Sequence, residues 1–132
     1  MVVVKIKWKV LCLFLFVILL AMTGFVAAEG NWVMTDKGGK VWNYHLLPFE
    51  KVSWSGAIGS DGFISGRGTL QWDRGEAGKD SYEGNMTGGV ASGRGKYLWG
   101  NGNRYEGNFA DGRREGKGVF IWANGDRFVG SF

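Results

Sequence analysis

At 132 residues the chain has room for one modest domain at most. Its formal net charge is +4, from 16 Lys and Arg against 12 Asp and Glu, but Lys5, Lys7 and Lys9 sit in a segment that reads as a removable leader. Without them 13 basic residues face 12 acidic ones, and a net +1 gives no argument for nucleic-acid binding. The one cysteine, Cys12, lies in the same segment, so an oxidising compartment adds no disulfides and stability must come from backbone pairing and aromatic burial.

Residues 1–28 have the three parts of a secretory signal peptide: the early lysines, an uncharged apolar run from Val10 to Val26, and small residues at Phe25-Val26-Ala27-Ala28 where a peptidase needs them. Cleavage near Ala28 would leave a secreted or periplasmic protein. The alternative is an uncleaved membrane anchor, although the run falls short of the ~20 residues a spanning helix requires. Cys12 is inside the apolar run and not at the cleavage point, which argues against a lipoprotein.

Residues 29–53 match no repeat and hold Trp32, Trp42, Tyr44, Leu46, Leu47, Phe49 and the only proline, Pro48. Such an apolar-aromatic segment beside a repeat array is expected to fold over the array's exposed first edge as a cap. Its aromatics could instead present a separate binding surface. His45, with no second His or Cys outside the leader, is a poor metal or catalytic candidate.

From Trp54 to Phe132 the chain repeats. Tyr82-Glu83-Gly84 returns 23 residues later as Tyr105-Glu106-Gly107, and 23 later again as Phe128-Val129-Gly130. Behind the full copies stand Gly93-Arg94-Gly95 with Trp99 and Gly116-Lys117-Gly118 with Trp122; a looser copy upstream has Trp54-Ser55-Gly56, Gly66-Arg67-Gly68 and Trp72. The units are therefore 54–81, 82–104, 105–127 and a partial 128–132. A period of this length marks an array whose units stack because none can fold alone.

Within a unit, alternation on both sides of Asp111-Gly112, and likewise around Gly88-Gly89, predicts a β-hairpin with a two-residue type I′ turn. With those turns, Tyr105 is expected opposite Gly118, Gly107 opposite Gly116 and Glu106 opposite Lys117, with Tyr82 opposite Gly95 and Glu83 opposite Arg94. Between units, parity demands an odd loop, and Ala123-Asn124-Gly125 ending in a left-handed glycine is the natural one; a register shifted by two also satisfies parity. The expected fold is all-β: a single-layer, twisted antiparallel meander of seven strands. One face should carry Trp54, Trp72, Tyr82, Tyr97, Trp99, Tyr105, Phe109, Phe120, Trp122 and Phe128, with large rings laid across opposed glycines to offset the poor strand propensity of glycine.

The combination of Tyr-Glu-Gly, a short turn, Gly-x-Gly, an aromatic residue and Asn-Gly at this spacing resembles the MORN repeat (membrane occupation and recognition nexus), most closely over residues 116–130. The resemblance spans residues 54–132. It implies an elongated twisted sheet serving as an interaction or scaffolding module, and an association with phospholipid membranes in some members. Trp54-Ser55-Gly56 in place of Tyr-Glu-Gly and the single strand of the last unit depart from the pattern.

No catalytic motif occurs, so no enzymatic activity and no cofactor are expected. Three surfaces remain as candidates. Arg67, Arg94 and Lys117 recur at one place in successive units and should form a row about 10 Å apart, able to track anionic lipid headgroups, although Glu83 and Glu106 would neutralise Arg94 and Lys117 and leave Arg67 unpaired. The aromatic face could stack sugar rings or an extended peptide. Lastly, Phe128, Val129, Gly130, Ser131 and Phe132 form an edge strand open to self-association or to a protein partner's strand.

Overall fold

The structure, a computed structural model, describes residues 30–43 and 51–132. The leader read over residues 1–28, together with Tyr44, His45, Leu46, Leu47, Pro48 and Phe49, lies outside the described residues. The described residues form ten strands: β1 (Asn31–Met34), β2 (Lys40–Asn43), β3 (Lys51–Trp54), β4 (Ala57–Ile58), β5 (Ile64–Asp73), β6 (Lys79–Thr87), β7 (Val90–Leu98), β8 (Arg104–Ala110), β9 (Arg113–Ile121) and β10 (Arg127–Ser131). The last eight build one antiparallel sheet in the order β10-β9-β8-β7-β6-β5-β3, with β4 also pairing β5. This is the expected open meander, β3 and β4 together forming its first arm.

The turns fall where alternation places them. Thr87 pairs with Val90 around Gly88-Gly89, and Ala110 with Arg113 around Asp111-Gly112. Positive φ at all four turn residues (56° and 76°, 48° and 74°) is the type I′ signature. Between units the three-residue loop is the register adopted: Trp99 N–H donates to the Asn103 carbonyl and Trp122 N–H to that of Asp126, each at 2.9 Å.

Strand pairing inside each hairpin differs from the sequence expectation. Tyr82 lies opposite Tyr97, Glu83 opposite Lys96, Tyr105 opposite Phe120 and Glu106 opposite Val119; Gly84 faces Gly95 and Gly107 faces Gly118. The cause is a bulge of two extra residues at Gly93-Arg94 and again at Glu115 to Lys117, with Gly93 and Gly116 at φ of 66° and 70°. Only glycine enters that region without a steric cost, so the first glycine of each Gly-x-Gly makes the bulge and the second takes the ring. A slip of two preserves parity, and every side chain therefore keeps its face.

Residues 30–43 do not simply cap the edge. A backbone bond, Asp36 N–H to the Val52 carbonyl at 2.8 Å, and the Lys51–Asp36 ion pair at 3.7 Å tie them to edge strand β3. The β1–β2 hairpin then crosses onto the aromatic face, where Lys40 N–H reaches the Gly62 carbonyl and Trp42 N–H that of Gly89, each at 2.9 Å. Fully buried Val41 joins Val52, Trp54, Ile64, Leu70, Trp72, Tyr82, Met86, Tyr105 and Phe109 in one core. Trp32 adds ring contacts to Trp42 and Phe63 at 5.0 and 4.8 Å. Among the described residues, a one-layer sheet thus gains a second layer over its first units only.

Candidate interaction surface

Each unit is locked by the same device. The Tyr82 ring lies across the Gly84–Gly95 pair and its hydroxyl donates to the Asn85 carbonyl at 2.9 Å; Tyr105 does the same over Gly107 and Gly118, to Asn108 at 3.0 Å. Trp54 performs this role in the first unit, its ring over Gly56 and Gly68 and its indole N–H donating to Ala57 at 2.8 Å. At the fourth repetition Phe128 covers Gly130 but has no hydroxyl to donate.

A second periodic contact joins each unit to the next. Asp80 Oδ1 accepts from Gly100 N–H at 2.7 Å and Asn103 Oδ1 from Ala123 N–H at 2.9 Å, 23 residues on in both partners. Asp80 also receives the Arg74 guanidinium at 2.9 Å, both side chains nearly buried, and the Tyr97 hydroxyl at 3.4 Å. Asp126, next in the series, receives its own Asn124 amide.

These contacts align the aromatics in two rows. One runs Tyr82, Phe109, Tyr105, Phe132, Phe128, with neighbouring centroids 4.8–5.5 Å apart. The other runs Trp72, Tyr97, Trp99, Phe120, Trp122 at 4.4–6.0 Å. Between the hairpin and the rows is a cleft of about 360 Å³ bordered by Val41, Trp42, Trp72, Tyr97, Phe109 and Arg114. Exposure rises steeply along the face. Tyr82 and Tyr105 are each 1% exposed, whereas Trp122 and Phe128 reach 43% and 46%.

Arg114 was not singled out from the sequence. It occupies the place of Ala91 one unit earlier, and its guanidinium lies 5.4–5.8 Å from Trp99, Tyr105, Phe120 and Phe132, bridging both rows where the hairpin no longer covers them. The signal was present in parity: Arg114 alternates in phase with Phe120 and Trp122 and so belongs to the aromatic face. Among the described residues it has no ion pair.

On the opposite face the bulge reassigns the charges. Arg67 meets Glu83 at 3.8 Å and Arg94 meets Glu106 at 3.7 Å, each arginine meeting the acid one unit later than the sequence register implied, and Lys96 adds a 4.0 Å contact to Glu106. Among the described residues it is Lys117, and not Arg67, that has no ion pair. The diagonal position that is Glu83 or Glu106 in earlier units is Val129 here. The edge residues Phe128 to Phe132 pair with β9 on one side, and no described strand lies on their other side.

Repeat length, hairpin geometry and the ring-over-glycine lock agree with a comparison against known families, in which the MORN repeat matches residues 60–76, 82–104 and 105–127. The sheet is an array of MORN repeats. No curated protein matches the chain. The family is one of interaction modules for proteins and membranes, which directs attention to surfaces and not to a reaction centre. Among the described residues no group of acidic, His or Cys side chains could hold a metal, and no helix is long and apolar enough to cross a membrane.

Proposed function

We propose that this MORN-repeat protein is an exported, non-catalytic interaction module that binds a protein partner on the C-terminal third of its aromatic face. The observation that carries this reading is that Trp122, Phe128 and Phe132 are exposed at the ends of two aromatic rows bridged by Arg114, since exposed aromatics and arginine are the residue types that dominate protein interfaces. The membrane reading is weaker on this chain, because Glu83 and Glu106 neutralise two of the three cations in the row.

The test is capture of partners by the exported protein, comparing wild type with Arg114→Ala/Trp122→Ala and with Arg67→Ala/Arg94→Ala/Lys117→Ala. A partner set lost only with the aromatic-face pair supports the proposal. Salt-sensitive sedimentation with anionic vesicles, abolished in the triple variant, would replace it with the lipid reading.

A further inference from the structure

The edge at β10 is unusual among the units in what it leaves unprotected. Phe132 exchanges hydrogen bonds with Gly116, and the Trp122 N–H donates to Asp126, so the even-numbered residues of the strand bond to β9. Antiparallel alternation then turns the N–H and C=O groups of Arg127, Val129 and Ser131 outward. Exposed edges are normally kept apart by charge, and the position that carries Glu in the second and third units would supply it. Here it is Val129, 63% exposed, the largest exposure among the large apolar side chains of the described residues.

We propose that β10 pairs antiparallel with β10 of a second copy about a two-fold axis at Val129. The inference deepens the interaction-module reading and rests on the same exposed end of the sheet. Three features select a second copy as the occupant. The outward groups are in phase for a two-fold there: Val129 faces its own equivalent, and Arg127 faces Ser131 of the other copy, forming roughly six backbone hydrogen bonds. On the aromatic face Phe128 falls opposite Gly130 of the other copy, again setting a ring against a glycine. On the charged face Val119 pairs with Val129, so a continuous apolar row of four valines crosses the axis. No like charges face each other directly, whereas centring the axis on Arg127 would oppose two guanidiniums.

The exported protein is examined by sedimentation equilibrium, with Val129→Pro and Val129→Lys. Proline removes only an outward N–H and is tolerated on an edge strand, and lysine sets two ammonium groups against each other. The expected result is a concentration-dependent dimer in wild type, a monomer for Val129→Pro with unchanged near-UV circular dichroism, and association weaker by on the order of tenfold for Val129→Lys. Register is read by cross-linking of single-cysteine variants. Val129→Cys should give a disulfide dimer, Ser131→Cys alone should not, and a mixture of Ser131→Cys with Arg127→Cys should. A wild-type protein monomeric at every concentration, a dimer indifferent to both Val129 substitutions, or Ser131→Cys cross-linking as readily as Val129→Cys would overturn the proposal. Partner capture dependent on Arg114 and Trp122 is scored separately, so loss of the dimer does not by itself count against the interaction-module reading.

Discussion

The Tyr82 hydroxyl donates to the Asn85 carbonyl at 2.9 Å, and to get there its ring must pass directly over Gly84. Asn85 stands at the register shift, so the same side chain covers a glycine pair and satisfies a carbonyl at the bulge. The two contributions can be separated. Tyr82→Phe keeps the ring and forfeits the hydrogen bond, and should cost about 1 kcal/mol. Gly95→Ala keeps the bond's partners but places a Cβ 2.6 Å from Tyr82 Cε2, and should cost about 2–3 kcal/mol by overpacking. Urea unfolding of the two variants checks the order, and a Gly95→Ala protein as stable as wild type would remove the ring from the account.

The bulge predicts a contrast within one Gly-x-Gly. A side chain at Gly116 meets nothing closer than the Asn108 amide at 3.7 Å, so Gly116→Ala suffers only from φ of 70°, about 1–2 kcal/mol. Gly118 has unexceptional φ but lies beneath the Tyr105 ring, with Cε2 2.5 Å from an added Cβ. Gly118→Ala should therefore be the more damaging of the two. Thermal unfolding followed by circular dichroism ranks them, and the reverse order would mean that conformation, not space, selects these glycines.

These two glycines also show where sequence reading stopped. Period, turn residues and alternation are local, and they located the hairpins, the inter-unit loops and the face of each side chain. The bulge was illegible because a slip of two changes no parity: Arg94 and Lys117 stay on the charged face either way, and only their partners change. The clue was that each ring can cover one glycine per strand, which leaves Gly93 and Gly116 needing another reason. The second layer depended on non-local contact. Nothing in Val41 or Trp42 says that their hairpin would turn from the edge of β3 onto the aromatic face, and so the burial gradient that separates Tyr82 from Phe128 could not be foreseen.

Asp80 receives the Arg74 guanidinium, the Gly100 amide and the Tyr97 hydroxyl, with side-chain exposures of only 6% for Arg74 and 9% for Asp80. Asn103 shows that an amide can hold the corresponding amide hydrogen in the next unit. Asp80→Asn should thus retain the inter-unit contact and lose the carboxylate that receives the nearly buried Arg74 guanidinium, at a cost of about 1.5–3 kcal/mol. Asp80→Ala should cost roughly 1 kcal/mol more, the value of the amide bond. Guanidinium-chloride unfolding of both variants measures the difference; equal stabilities would show that the Gly100 contact contributes nothing.

Burial raises the phenols of Tyr82, Tyr97 and Tyr105 above their ordinary value, which predicts that the fold loses stability in alkali. Tyr82 is pushed up to about 12 from an ordinary value of 10.0, Tyr105 is raised for the same reason, and Tyr97 is raised further because the Asp80 carboxylate adds to its desolvation. A folded-state pKa above the unfolded one contributes stability that is fully present below the unfolded value and is lost as pH rises through the folded value. Stability should accordingly be insensitive to these groups below pH 10 and fall between pH 10 and 12, as the unfolded chain ionises phenols that the folded chain cannot. Tyr82→Phe should flatten that decline while lowering stability at neutral pH through the lost bond to Asn85. Urea midpoints measured across this range for wild type and variant decide the matter: parallel curves would mean that the Tyr82 phenol ionises as easily inside the sheet as outside it.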